Sequence, residues 1–499
     1  METLQTHNNI QNDRVRSVSR ICLSLILVSL LMLGACTMPG GNQKISKIRL
    51  SIQNTLPLHR KKVPIVLTGA QLRKVNPDFT FKAYSVVTGK APREVMVPAQ
   101  ADDLDYDGER DQLCFLLDLE PEETKEISIL YDPNVKATLT LDINKQTRAA
   151  ILPELSAVAA MESNLIAYLL KPNGAFIAYG KKRSELFSVD IMFQPELDYG
   201  RPISPELRHH FEQNGITLSQ QVQIEIEKPE QQWIARDLEN QDVYFIRKSS
   251  NSAVSELGQE TAAAEQLSVS KSIGLSLNEL LNSETEKMVA LTPSEGLIGF
   301  GGIALWHKAD RKMIPLPTEG DYIRILADGA IRSIVQRILP TWDIQGEVRR
   351  FISTTFVYGE NPWIEHHIHI DGDLPTDYAF ITGIPYPNGA YDEDVKQGWV
   401  WSWGTDPSGM DTLGVALIVL TGRDPQDAGL DASQTEFSSL PVILTPNADG
   451  RLTYRTFAIW GGGIDGIETE AEFAQHVQIT TTALKTPPQI KFLPPEEEQ

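Results

Sequence analysis

The chain is poor in cysteine, with 3 in 499 residues. Cys22 lies inside an apolar N-terminal run and Cys36 closes that run, which leaves Cys114 as the single thiol of the main body. An internal disulfide framework is therefore excluded, and Cys114, in an apolar segment, reads as packing rather than as a nucleophile. Basic residues are also short: 45 Lys and Arg stand against 66 Asp and Glu, a net charge of −21. No nucleic-acid partner is expected, because neutralising phosphates takes clustered cations. No G-x-S-x-G elbow, P-loop, HExxH helix or dinucleotide-binding glycine fingerprint occurs in its required context. The glycines of "GFGGIA" lie between strand-like runs rather than ahead of a helix.

What is present begins at the N-terminus. Arg14, Arg16 and Arg20 precede "ICLSLILVSLLML", a predominantly apolar run of 13 residues. That is shorter than the ~20 residues a membrane-spanning helix needs, and it suits a signal peptide. The run ends in "LGAC", Leu33 to Cys36, which resembles the lipobox of bacterial lipoproteins. The resemblance implies a signal peptide over 1–35, lipidation at Cys36 and a tether over 36–46, with an uncleaved anchor as the alternative. Thr37, where aspartate is absent, implies sorting to the outer membrane. The expected location is therefore the cell envelope.

From Ile48 onward the chain alternates in short runs such as "KIRLSIQN", "VPIVLTG" and "EISILYD", punctuated by turn residues. These predict an N-terminal β-sandwich-like domain over 47–135. Residues 140–485 again read as many short strands, which favours a sandwich or barrel over a parallel α/β sheet. One short helix is signalled by Ser204, Pro205 and Gly215. Residues 248–292, rich in Ser, Ala, Glu and Asn, read as a helical or mobile insertion, and 486–499 as a disordered tail. The fold class expected is all-β.

The order of "DDLDYDGERDQLCFLLDLEPEETKEI", "ESNLIAY…GAFIAYGKK", "GFGGIALW", "ADGAIRSIV", "FVYGENPWIEHHIHI" and "FITGI…GWVWSWG" resembles domain-of-unknown-function family 4861. The resemblance implies a β-supersandwich related to galactose-mutarotase-like folds and a setting in polysaccharide degradation. It implies no particular reaction. Ahead of "GIALW" the family pattern is polar and contains histidine. Here "EKMVALTPSEGLIGFG" has no histidine and no carboxylate pair in a clear pattern, a departure that counts against catalysis by that segment.

Four groups of residues carry chemistry. Asp103, Asp105, Asp107 and Asp111 stand at loop positions 1, 3, 5 and 9 with Gly108 at 6. Hard oxygens at that spacing suit a structural Ca²⁺, or else a metal-free turn in which Asp side chains accept backbone N–H bonds. In "WIEHHIHIDGD", period two puts Glu365, His367 and His369 on one strand face. Such a face is a candidate for acid–base catalysis, for metal binding, or for plain solvent exposure. Trp399, Trp401 and Trp403 share a face that suits either stacking on carbohydrate or core packing. Tyr168 and Lys181 fit the family pattern, and Arg183 extends a local basic cluster. A Tyr base and cations that neutralise a carboxylate are what a uronate lyase needs; solubilising turn charges are the alternative. The expected activity is of lyase or glycosidase type on polysaccharide fragments, with a non-catalytic glycan binder or a structural envelope protein as alternatives.

Overall fold

The computed structural model describes residues 45–494 apart from internal stretches, the longest at 187–207, 250–265 and 272–287. The signal peptide, Cys36 and nearly all of the tether lie outside the described residues. So does most of the expected helix near 204–215, of which Arg208 and Glu212 are helical. The described chain is almost wholly antiparallel β structure with two helices, α1 (Gly69–Val75) and α2 (Glu470–Lys485). Among the described residues no helix is long and apolar enough to cross a membrane.

The N-terminal domain is a sandwich. Strands Ser46–Gln53, Tyr84–Thr88, Val95–Val97 and Thr124–Tyr131 belong to one sheet; Arg60–Thr68, Ala99–Asp102 and Gln112–Leu119 form the other. Alternation decides the facing side: Ile48, Leu50 and Ile52 meet Ile65, Leu67, Leu113 and Phe115 in a shared core. Thr68 starts α1 with a capping box, accepting from the Gln71 backbone while the Gln71 side chain answers its own N–H. The disordered tail expected over 486–499 is corrected for its described part, while 495–499 lie outside the described residues. Gln489–Leu493 pairs antiparallel with Ser46–Gln53, so an alternating "QIKFL" finishes the exposed edge of that sheet. The N-terminal sandwich thus draws its last strand from the other end of the chain.

The larger unit is built on an eight-stranded sheet. Its order is Tyr322–Asp328, Arg332–Ile344, Glu347–Tyr358, Trp363–Ile370, Arg451–Trp460, Thr412–Thr421, Trp399–Thr405 and Ala390–Asp394. One face buries Ile364, Ile368, Leu417 and Tyr454 against Met161, Tyr168 and Phe176 of one five-stranded sheet, and Phe380 and Val442 of another. A broad sheet closed by two smaller ones is the expected supersandwich. Within 248–292, expected to be helical or mobile, the described residues include strands: Gln266–Lys271 pairs with Asp242–Ser249, and Met288–Ala290 with Phe176–Lys181. Cross-strand pairing there overrides a composition that looks unstructured.

The second face of the eight-stranded sheet is covered in part by α2 and in part by the outer side of the small N-terminal sheet. Phe473 and Val477 of α2, with Cys114 of the N-terminal domain, join Phe356, Trp363, Trp401 and Phe457 in one core. This explains why "LCFLLDL" is continuously apolar rather than alternating. Leu113, Phe115 and Leu117 point into the sandwich, while Cys114 and Leu116 point into this second core. Gly414 gives Phe473 its seat, since a Cβ there would come within 2.4 Å of the ring.

Candidate functional site

The strand Trp363–Ile370 separates its residues by parity. Ile364, His366, Ile368 and Ile370 face the main core. His366 is fully enclosed, with Nε2 3.1 Å from Thr456 Oγ1 and its ring stacked on Tyr454 at 4.6 Å. Burial drives its pKa down to about 3, only partly opposed by Glu365, so it is a neutral packing residue. The odd positions face the other way. Glu365 shares a 2.7 Å hydrogen bond with His367 Nε2 and accepts from Arg455 through Nε, at 2.5 Å, and Nη2. Burial alone would raise the Glu365 pKa, but Arg455 and His367 outweigh it and bring it to about 2. The carboxylate is therefore permanently ionised, and it fixes the imidazole of His367, whose side chain remains 45% exposed. A base oriented by a buried carboxylate is the arrangement acid–base catalysis uses. His369 turns away to Asp371 at 3.0 Å, so the expected Glu365, His367 and His369 group resolves into two separate pairs.

Strand register extends the His367 position into a row. Arg324 pairs with Gln336, Gln336 with Thr354, Thr354 with His367, His367 with Thr453, and Thr453 with Thr421. Neighbouring strands lie ~4.8 Å apart, so these six polar side chains cross the sheet on one face. They are joined at one end: Arg324 Nε and Nη2 donate to Gln336 Oε1 at 3.0 and 2.7 Å, and Gln336 Nε2 donates to Thr354 Oγ1 at 2.9 Å. The ring of Tyr106 lies 5.0 Å from the Arg324 guanidinium, and its hydroxyl donates to the carbonyl of Ile325. The aspartate loop therefore docks at the end of the row. Tyr322, two residues before Arg324 on its strand, is 64% exposed. Sequence reasoning missed Arg324, Gln336, Thr354 and Arg455. The signal was a polar residue at an outward position in each of four strands; what was lacking was the register that aligns them.

Other expected site residues sit elsewhere. Tyr168 is buried on the opposite side of the sheet, stacked on Phe300 at 6.1 Å and donating to the Pro362 carbonyl at 2.8 Å. Burial pushes its pKa well up, which is a correction to its expected role as a base. Lys181 is also buried, paired with Glu162 and donating to the Ser163 carbonyl at 2.7 Å. Its charge is neutralised internally, which corrects its expected catalytic role. Arg183 lies in the exposed turn that follows Phe176–Lys181. Trp399, Trp401 and Trp403 are 5%, 4% and 8% exposed, roofed by Phe473, so they form core rather than an open sugar platform.

In the aspartate loop, carboxylate oxygens of Asp103, Asp105 and Asp111 lie within 4.8 Å of one another. Asp107 stands apart from that cluster and accepts from Glu109 N at 2.7 Å. The others also hold the turn: Asp103 accepts from Tyr106 N and Gly108 N, at 2.7 and 3.0 Å, and Asp111 from Leu104 N at 2.6 Å. Gly108 takes φ +91°, where a side chain would be strained. Three converging carboxylates supply hard oxygens, a part of the six to eight that a Ca²⁺ ion takes.

The model of the family described as "Domain of unknown function (DUF4861)" matches residues 52–166 and 297–490, more than half of the chain. No curated protein matches. Among solved structures, the chain is similar at 10% identity to a glycosyl hydrolase family 38 protein from Enterococcus faecalis, with a TM-score of 0.40 over 90% of this chain and 48% of that one. It is likewise similar to an alpha-mannosidase from Enterococcus faecalis V583, at 10% identity and a TM-score of 0.38, over 91% of this chain and 46% of that one. The chain spans about half the length of these proteins.

Proposed function

The chain belongs to domain-of-unknown-function family 4861, and from that premise we propose that it acts on polysaccharide fragments containing uronates, at the polar row centred on His367. One observation carries the reading: an exposed imidazole, held by an ionised carboxylate that Arg455 locks in turn, stands in register with Thr354, Gln336 and Arg324. Guanidinium, amide and hydroxyl groups in line offer the donors and acceptors a polyhydroxylated ligand requires. Arg324 is held by a neutral amide and an aromatic ring, so its charge is available to a sugar carboxylate. Glycosidases work with two carboxyl groups flanking the bond. Here Glu365 is engaged by Arg455 and Asp371 by His369, which favours a lyase over a glycosidase. In that reaction His367 removes the proton beside the uronate carboxylate, the bond to the departing oxygen breaks, a carbon–carbon double bond forms, and water returns a proton to the leaving oxygen.

Tyr106 and Tyr322, 55% and 64% exposed at the Arg324 end, also suit a glycan-binding protein without turnover. A panel of uronate-containing glycans, followed by ultraviolet absorbance of unsaturated product and by binding, separates the readings. Product supports the lyase, affinity without product the binder, and neither leaves a structural envelope protein.

Two further assignments belong to this reading. Asp103, Asp105 and Asp111 hold a structural Ca²⁺ that clamps the loop carrying Tyr106. EDTA should then lower the Tm and added calcium restore it; an unchanged Tm would leave the turn to its own backbone hydrogen bonds. Lipidation at Cys36 ties the protein to the outer membrane. Cys36→Ala should move it from the membrane fraction to the soluble fraction, and retention on the membrane would count against the anchor.

A further inference from the structure

A cavity of about 500 Å³ lies where the N-terminal domain, α2 and the eight-stranded sheet meet. Pockets of roughly 300–1,000 Å³ at such junctions, mostly apolar with a few placed polar groups, are where small ligands bind. Its apolar wall includes Trp460, Ile464, Ile479 and Leu484, and two guanidinium groups, Arg60 and Arg455, also line it.

The charges around it do not cancel. Lys62 reaches Asp118 and Glu360 at 3.5 and 3.3 Å, and Lys181 is paired with Glu162. Arg455 is held by Glu365 through Nε and Nη2, and its guanidinium lies over the Trp363 ring at 3.6 Å. Arg60 is different. It is only 6% exposed, and its Nη1 and Nη2 donate to the carbonyls of Thr486 and Ala483, at 2.8 and 2.5 Å, where α2 ends. Its Nε is buried with no hydrogen-bond partner, and no carboxylate pairs with it among the described residues. A buried cation without a counter-charge is costly, and beside Arg455 it is costlier. An anion in the cavity would answer both guanidinium groups at once, and the apolar wall calls for a hydrocarbon body behind that anion.

We propose that this cavity binds a small amphiphile with one oxyanion head, carboxylate or phosphate, placed between Arg60 and Arg455 with its apolar body along Trp460, Ile479 and Leu484. Neither Glu365 nor His367 lines the cavity, so the site is distinct from the His367 row, although the two share Arg455. It would fasten α2 to the N-terminal domain when filled.

The probes are octanoate and octyl phosphate, below micelle formation, titrated calorimetrically into the full chain, with octanol and octyltrimethylammonium as neutral and cationic controls. At least one anion should bind at one site per chain and raise the Tm. Octanol should bind at least tenfold more weakly and the cation not at all. The carboxylate and phosphate arms identify the head group. Ile479 is 40% exposed, so Ile479→Glu should fold normally and weaken anion binding at least tenfold; Ile464→Glu, at a residue 42% exposed, makes the same test. Failure of both anions to bind, equal binding of octanol, or wild-type affinity in both variants would overturn the proposal.

Discussion

Glu365 accepts from Arg455 on one side and His367 on the other, and each contact exists to satisfy a group that burial would otherwise penalise. Removing the charge while keeping the shape tests this. Glu365→Gln leaves Arg455 buried without its counter-charge, at a cost of about 3–5 kcal/mol at neutral pH. The sign with pH follows from a pKa held down at about 2 against an ordinary 4.5. The carboxylate stabilises the fold fully above its unfolded value and less as pH falls through the folded one. Urea unfolding of the wild type should therefore lose stability between roughly pH 4.5 and 2, a component the variant lacks. Equal stability at neutral pH, with matching acid curves, would contradict the account. At this scale the sequence was informative about parity: Glu365 and His367 share a face because a strand alternates. It was silent on Arg455, which lies 90 residues away and meets Glu365 only through strand pairing.

Elements explain why some expectations moved. A row of tryptophans at period two fits an open face and a covered one equally, and the deciding element is α2, far along the chain. Phe473 is fully buried and touches Trp401, Trp403 and Phe457, with ring centroids 6.1, 5.4 and 6.1 Å away. Phe473→Ala should cost about 3–5 kcal/mol in urea unfolding, through lost burial and the void left behind. A loss under about 1 kcal/mol would mean that α2 does not roof these indoles. The same logic separates the helix signals. Thr469 caps α2 and accepts from Glu472 N, yet α2 was not read from sequence because only Phe473, Val477 and Thr481 of its residues are buried. A narrow apolar stripe gives a weak periodic signal. The tail strand Gln489–Leu493 was hidden for a different reason: its partner is the first strand of the described chain.

For the whole molecule, the all-β class and an N-terminal sandwich were legible from alternation and turn spacing, whereas the supersandwich was legible only through the resemblance to family 4861. How the two pack was not. The continuous apolar run around Cys114 was the visible trace of that packing, because a strand buried on both faces loses its alternation. That packing covers the tryptophans on the second face of the large sheet and leaves His367 accessible, which is why the proposed site is placed at His367. The most direct test is a comparison of wild type, His367→Ala and His369→Ala on the uronate glycan that the wild type converts best. General acid–base catalysis contributes ~10²–10⁴-fold, so His367→Ala should lower kcat at least a hundredfold, with a smaller loss for His369→Ala, whose imidazole pairs with Asp371 instead. Unchanged turnover in both variants would contradict the assignment of the site.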